Sequence, residues 1–432
     1  MLNRLNHFLA VAGNKLKSTG FFHVFGSSVI NKVVSFAGGI ILVRIISKAD
    51  YGVYTFANNI YGFFYILTGL GMSSAVLQLC SESGDARRRM DVYSYGGRFG
   101  FKVNVILSLA ILATAAFIKL PIEGANAMLA AFSFLPIFSF EMDIRSTWLR
   151  VELKNREYSY ANSFSALMTV FFSVAFSLFL GAYGLIVSAY LSAIVTIIFV
   201  SWQLKVPRSI PNYSVDRESK RAMLGLGTIS MLNNGLSSLM YLLDIFVIGL
   251  FIPDETVIAS YKVATTIPSA LQFIPAAIVT YSYPYFARHK NDKTWTVGKY
   301  KLLTFCSGVL NFSIAAVLIL LSGALVPLVF GEQYTDAVPC FVILCLSFAF
   351  SGTFRVIAGN LLATQRRVKY NLFVAVFSSA FNTAANVILV LRWGSIGAAV
   401  ATLLTAILTS IFNTVYLIYV YKKLPNRPAE VN

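Results

Sequence analysis

Twelve apolar stretches divide this chain, at 21–45, 53–79, 99–118, 126–147, 161–181, 184–204, 223–250, 258–285, 302–330, 338–363, 371–391 and 395–420. Each is about 20 residues or longer, the length an α-helix rising ~1.5 Å per residue needs to cross roughly 30 Å of hydrocarbon. Inside hydrocarbon no water satisfies the peptide groups, so only helices and closed barrels span it. Barrel strands alternate apolar and polar residues over about 10 positions, and these stretches do not alternate. The expected fold is therefore an all-α integral membrane protein with twelve transmembrane helices. The rest of the composition agrees, with 57% of 432 residues hydrophobic, 12% charged and a mean hydropathy of +0.71, too apolar for a soluble chain of this length.

The cationic residues orient the spans. With both termini inside, 28 of the 35 Lys and Arg fall in inner segments, Arg44, Lys48, Lys119 and Arg392 fall outside, and Lys32, Lys262 and Arg355 lie within apolar stretches. The positive-inside rule selects this orientation, and an even number of spans follows from it. The net charge of +17 is thus mostly a topology signal. Its spread over seven short segments excludes the concentrated basic face that nucleic-acid binding needs. The outer connections, such as 120–125, 252–257 and 331–337, are too short for an extramembrane catalytic domain. Residues 1–20 hold an apolar core only at 8–12, shorter than a secretory signal's roughly 7–15 residues. They are expected to form a cytoplasmic amphipathic lead-in, with the first span as an uncleaved anchor. Cys80, Cys306, Cys340 and Cys345 show no metal-ligand spacing and read as buried small hydrophobes.

A degraded repeat runs through the chain. Tyr54, Ala57 and Ile60 return as Tyr261, Ala264 and Ile267, an offset of 207. Asn31 and Lys32 align with Asn233 and Asn234 at 202, Arg156 and Tyr160 with Arg366 and Tyr370 at 210, and Gly181, Gly184 and Ser188 with Gly394, Gly397 and Ala401 at 213. Four matches in the same order predict two six-helix lobes, 1–205 and 223–432, joined by a cytoplasmic linker at 206–222. Because each half has an even number of spans, the lobes share one orientation and are related by a pseudo-two-fold along the membrane normal.

The segment Arg44-Ile-Ile-Ser-Lys-Ala-Asp-Tyr-Gly-Val-Tyr, the turn Val329-Phe-Gly-Glu-Gln-Tyr-Thr-Asp-Ala337 and the opening Gly394-Ser-Ile-Gly397, together with the twelve-span layout, resemble the Wzx-type O-antigen and exopolysaccharide flippases. These are polysaccharide transporters of the multidrug/oligosaccharidyl-lipid/polysaccharide exporter superfamily. The resemblance implies a non-enzymatic carrier in the cell inner membrane that moves an undecaprenyl-pyrophosphate-linked oligosaccharide repeat unit from the cytoplasmic to the periplasmic leaflet. The implied partners are that lipid-linked glycan, membrane lipid, and the polymerase and chain-length proteins of the same pathway. No cofactor is expected, and a coupling ion, H+ or Na+, stays open. A multidrug/cation antiporter of the same superfamily is the alternative, and a membrane-embedded polymerase or ligase a more distant one. The first would want acidic groups along the path, where only Asp244 lies away from the inner ends.

A flippase must give a phosphate-linked sugar a wet, cationic path through hydrocarbon. Lys32, in mid-span, is the sharpest candidate, as a cavity cation or as half of a structural ion pair. Asn31, Asn233 and Asn234 put amides at matching depth, for substrate or for helix–helix bonding. Lys262 and Asp244 sit at comparable depth and are candidates for a mutual pair. Arg355, ~26 Å along its span, suits substrate or snorkelling equally. Arg44, with Asp50 near it, reads as structural. Glu141, Asp143 and Arg145 suggest a self-neutralising cluster or an inner gate, and His23 a weak proton site. Tyr51, Tyr54, Tyr61, Tyr65, Tyr281, Tyr283 and Tyr285 fit sugar stacking or interfacial packing. Pro268, Pro275 and Pro284 mark the eighth span as the one that changes shape.

Overall fold

The computed structural model describes residues 21–207 and 214–424, and every regular element among them is helical. The expected lead-in, 1–20, lies outside the described residues, as does the His23 side chain. The chain forms two compact units, Met1–Gly235 and Leu236–Asn432. Among the described residues nine helices are long and apolar enough to cross a membrane. The molecule is an all-α, multi-pass membrane protein.

The first unit holds α1 (Phe21–Ile45), α2 (Lys48–Tyr65), α3 (Met72–Glu82), α4 (Ala86–Phe117), α5 (Ala125–Phe132), α6 (Leu135–Val151), α7 (Asn155–Leu180), α8 (Ala182–Trp202) and the start of α9 (Arg217–Phe251). The second holds the rest of α9, then α10 (Glu255–Leu271), α11 (Phe273–Arg288), α12 (Lys293–Phe330), α13 (Val338–Phe350), α14 (Val356–Thr364) and α15 (Val368–Lys422). The division falls inside α9. Its first half packs into the first unit, with Met223 in the core beside Val76 and Trp148 and Gly227 against Gly71.

Acidic and hydroxyl side chains start the helices where the sequence turns. Ser47 caps α2, its Oγ accepting from the Asp50 amide at 3.1 Å and donating to the Asp50 carboxylate at 2.7 Å. Asp85, Asp254 and Asp292 cap α4, α10 and α12 in the same way, accepting from Arg87, Thr256 and Trp295 amides at 2.9, 2.8 and 3.0 Å.

Several expected spans are broken, each for a readable reason. The second divides at Gly69, Leu70 and Gly71, all left-handed with φ of 55°, 49° and 70°. Here a Cβ on Gly71 would overlap the Gly227 carbonyl. The fourth divides after Phe132, whose carbonyl would bond the amide that Pro136, four residues on, lacks. The eighth divides at Gln272, where Pro275 leaves the Leu271 carbonyl without its helical donor. The tenth contains a π-helical turn, Ser351–Arg355.

The 213-offset repeat is a structural device. Gly181 (φ 55°, ψ −133°) ends α7, and Gly394 (φ 60°, ψ −142°) folds α15 into two arms. Three residues later Gly184 and Gly397 each press onto the backbone of the preceding helix, Phe176 and Leu389. Both steps need glycine: one for a conformation open essentially to it alone, the other for close approach. One cysteine departs from expectation. Cys80, Cys340 and Cys345 are buried, but Cys306 is exposed, on a face of α12 that also shows Leu302, Phe305 and Val309.

Candidate functional site

In the second unit the polar residues of α9, α10 and both arms of α15 converge on one carboxylate. Asp244 is 8% exposed. It accepts hydrogen bonds from Tyr261 Oη at 2.9 Å, Asn386 Nδ2 at 2.8 Å and Thr402 Oγ1 at 2.7 Å. A second layer continues it, with Asn386 Nδ2 also reaching Asn382 Oδ1 at 3.1 Å and Asn382 Nδ2 reaching Thr405 Oγ1 at 3.2 Å. Asn386 Oδ1 is buried with no protein partner. The expected Asp244–Lys262 pair does not form. Tyr261 takes the carboxylate instead, and the next residue on a helix leaves about 100° further round, which turns Lys262 away.

Three neutral donors make a buried carboxylate tolerable. Its oxygens, the free Asn386 Oδ1 and the nearby hydroxyl and amide oxygens form a hard-oxygen donor set, which suits a proton or a small cation. Of this node the sequence reading identified Asp244 alone. Asn382 and Asn386 at i, i+4, and Thr402 and Thr405 at i, i+3, were the available signal: polar residues on one face of an otherwise apolar span.

Lys32 lies midway along α1, exposed and without an ion pair; Lys262, half-buried on α10, and Arg355, half-buried in the π turn, likewise have no ion pair among the described residues. Asn31 is half-buried, while Asn233 and Asn234 are exposed on the part of α9 in the first unit, and Arg44 is exposed in the last turn of α1. The self-neutralising reading holds for Glu141 and Arg145, paired at 3.0 Å with Arg145 Nη1 also donating to Ser201 at 2.9 Å. Asp143 stands outside that pair, exposed on α6. Nearby, Arg89 meets Glu152 at 3.2 Å and donates to the Ser83 and Gly84 carbonyls, tying the ends of α3, α4 and α6. Tyr61 packs on Phe132 at 5.0 Å, whereas Tyr281 and Tyr285 form an exposed pair at 5.4 Å.

Solved transporters of the MOP superfamily share this fold. The chain superposes on an inward-facing multidrug resistance MATE family transporter of that superfamily with a TM-score of 0.74, covering 91% of this chain and 95% of that one at 14% identity. The lipid II flippase MurJ, in an inward closed conformation, matches with a TM-score of 0.72 over 93% and 89% at 15% identity. Among curated proteins, the lipopolysaccharide biosynthesis protein WzxC of Escherichia coli (strain K12) is 31% identical over 155 residues, 36% of this chain and 30% of that protein. The family model described as polysaccharide biosynthesis protein matches residues 41–339, and the chain belongs to that family.

Proposed function

We propose that the protein flips an undecaprenyl-pyrophosphate-linked oligosaccharide repeat unit, of an O-antigen or exopolysaccharide, from the cytoplasmic to the periplasmic leaflet of the inner membrane by alternating access. On this reading twelve spans form two six-helix lobes with both termini cytoplasmic, and the headgroup crosses through a central cationic cavity. The observation that carries this reading is Lys32, an exposed cation midway along the apolar helix α1 with no ion pair among the described residues. A protein cation left uncompensated at that depth favours an anionic headgroup and repels a cationic drug. Family membership and the name of the MurJ relative point the same way, while the fold is common to flippases and drug exporters. The test is transport in proteoliposomes of a fluorescent undecaprenyl-pyrophosphate-linked sugar against a cationic dye. Wild type should move the first and not the second. Lys32→Ala should abolish movement at normal protein level, and Lys32→Arg should keep part of it, since charge survives while reach and shape change. Dye transport by wild type, or full activity of Lys32→Ala, would overturn the reading.

The Asp244 node supports a second element of the cycle, a coupling ion, H+ or Na+, taken up in the second unit. Its donor set is neutral apart from one carboxylate, so a single positive charge balances it.

A further inference from the structure

The π-helical turn Ser351–Arg355 decides which way Arg355 faces. Leu344 and Phe348 lie on the buried stripe of α13, 6% and 1% exposed. Residue 355 comes 11 and 7 positions after them, close to three and two whole turns of a 3.6-residue helix. An unbroken α-helix would therefore drive an arginine into that stripe, where an unpaired guanidinium is costly. A π turn takes up one extra residue, which holds Arg355 back by about 100°. It then shares the azimuth of Ile343, half-buried as Arg355 itself is, and of the small polar Ser347, instead of the bulky apolar Leu344 and Phe348.

The turn is braced on three sides within the second unit. Ser410 Oγ donates to the Phe350 carbonyl at 3.3 Å and Asn413 Nδ2 to the Arg355 carbonyl at 3.4 Å. These two side chains of α15 are three residues apart, so they leave one face of that helix and reach both ends of the turn. From α12, Asn311 Nδ2 donates to Thr353 Oγ1 at 3.2 Å. Gly352 lets this happen: a Cβ there would stand 3.1 Å from Asn311 Nδ2 and 3.2 Å from Pro275 Cγ. Asn311, Ser410 and Asn413 are 0%, 4% and 6% exposed. A substrate held at Arg355 could not reach such buried groups directly.

We infer that Asn311, Ser410 and Asn413 are positioning residues that hold the π turn in register so that Arg355 presents its guanidinium to the pyrophosphate of the lipid-linked substrate. The inference rests on the flippase reading. A planar five-donor fork suits a diphosphate's oxygens only when its direction is set, and the brace sets it.

The test uses the full chain in nanodiscs with undecaprenyl pyrophosphate as probe, comparing wild type, Arg355→Ala, Asn413→Ala and the double variant. Loss of a charge-assisted contact should weaken binding about tenfold in Arg355→Ala. Asn413→Ala should weaken it several-fold with the folded amount unchanged, and the double variant should bind no more weakly than Arg355→Ala, because the brace acts through the arginine. Additive losses, or wild-type binding by Arg355→Ala, would overturn the inference. Lys32→Ala separates the two levels: if it weakens binding while Arg355→Ala does not, only the positioning inference fails, and if wild type does not bind the probe at all, the flippase reading fails. Should Asn413→Ala fold poorly, Ser410→Ala takes its place. Register is then read directly in a Cys306→Ser background, where Arg355→Cys should react with a water-soluble thiol reagent and lose that reactivity when Ser410→Ala is added. Unchanged reactivity would also overturn the inference.

Discussion

A carboxylate buried in a membrane protein needs either a cation or a set of donors, and Asp244 has the donors. Removing it strands the Tyr261 hydroxyl, the Thr402 hydroxyl and one N–H of the Asn386 amide, at about 1–3 kcal/mol for each group left unsatisfied. Asp244→Ala should therefore sharply lower the yield of folded protein. Asp244→Asn keeps the shape and one acceptor while deleting the charge, so it should fold in near-normal amount. Under the coupling-ion proposal, wild type in detergent should melt at a temperature that depends on Na+ or on pH, and Asp244→Asn should have lost that dependence. An Asp244→Asn protein that responds to both as wild type does would remove the node from coupling.

Broken helices are the elements that set this fold apart from a bundle of straight rods. Each break has a backbone cause: three left-handed residues at 69–71, and the missing amides of Pro136 and Pro275. Neighbouring protein must serve the freed peptide groups, as Asn104 does by accepting from the Gly69 amide at 3.4 Å. Gly71 carries the tightest demand, a φ of 70° and a close approach to Gly227. Gly71→Ala should lose about 1–2 kcal/mol from the left-handed conformation alone, and more from the clash with the Gly227 carbonyl. Gly225→Ala, where a Cβ would meet nothing within 4 Å, should leave stability unchanged or slightly raised. Thermal unfolding of the two variants in detergent checks this, and equal melting temperatures would mean that the break does not depend on Gly71.

For the whole molecule, the charge distribution carries a topology prediction. Single cysteines replacing Asp254 or Glu332 should react with a membrane-impermeant reagent from outside, and one replacing Lys293 only after the inner face is opened. Cys306, being exposed, must first be replaced by serine. Labelling in the reverse pattern would overturn the proposed twelve-span arrangement and, with it, the proposed direction of transport.

The sequence by itself determined the class, because twenty apolar residues in a row have only one stable way to satisfy their backbone in lipid. It also located the glycine turns at 181 and 394, whose matched spacing reflects the same local geometry twice. Lys32 could be singled out as a candidate for a similar reason, since one charge in a long apolar run stands out without any neighbour. The Asp244 node was not legible, because its donors come from positions 261, 386 and 402, and only packing brings such distant positions together. Nor was the orientation of Arg355, since a π turn leaves no compositional mark. Local backbone rules and hydrocarbon can be read along the chain, but which polar groups meet is decided by the tertiary structure, where helices far apart in sequence share one desolvated seam.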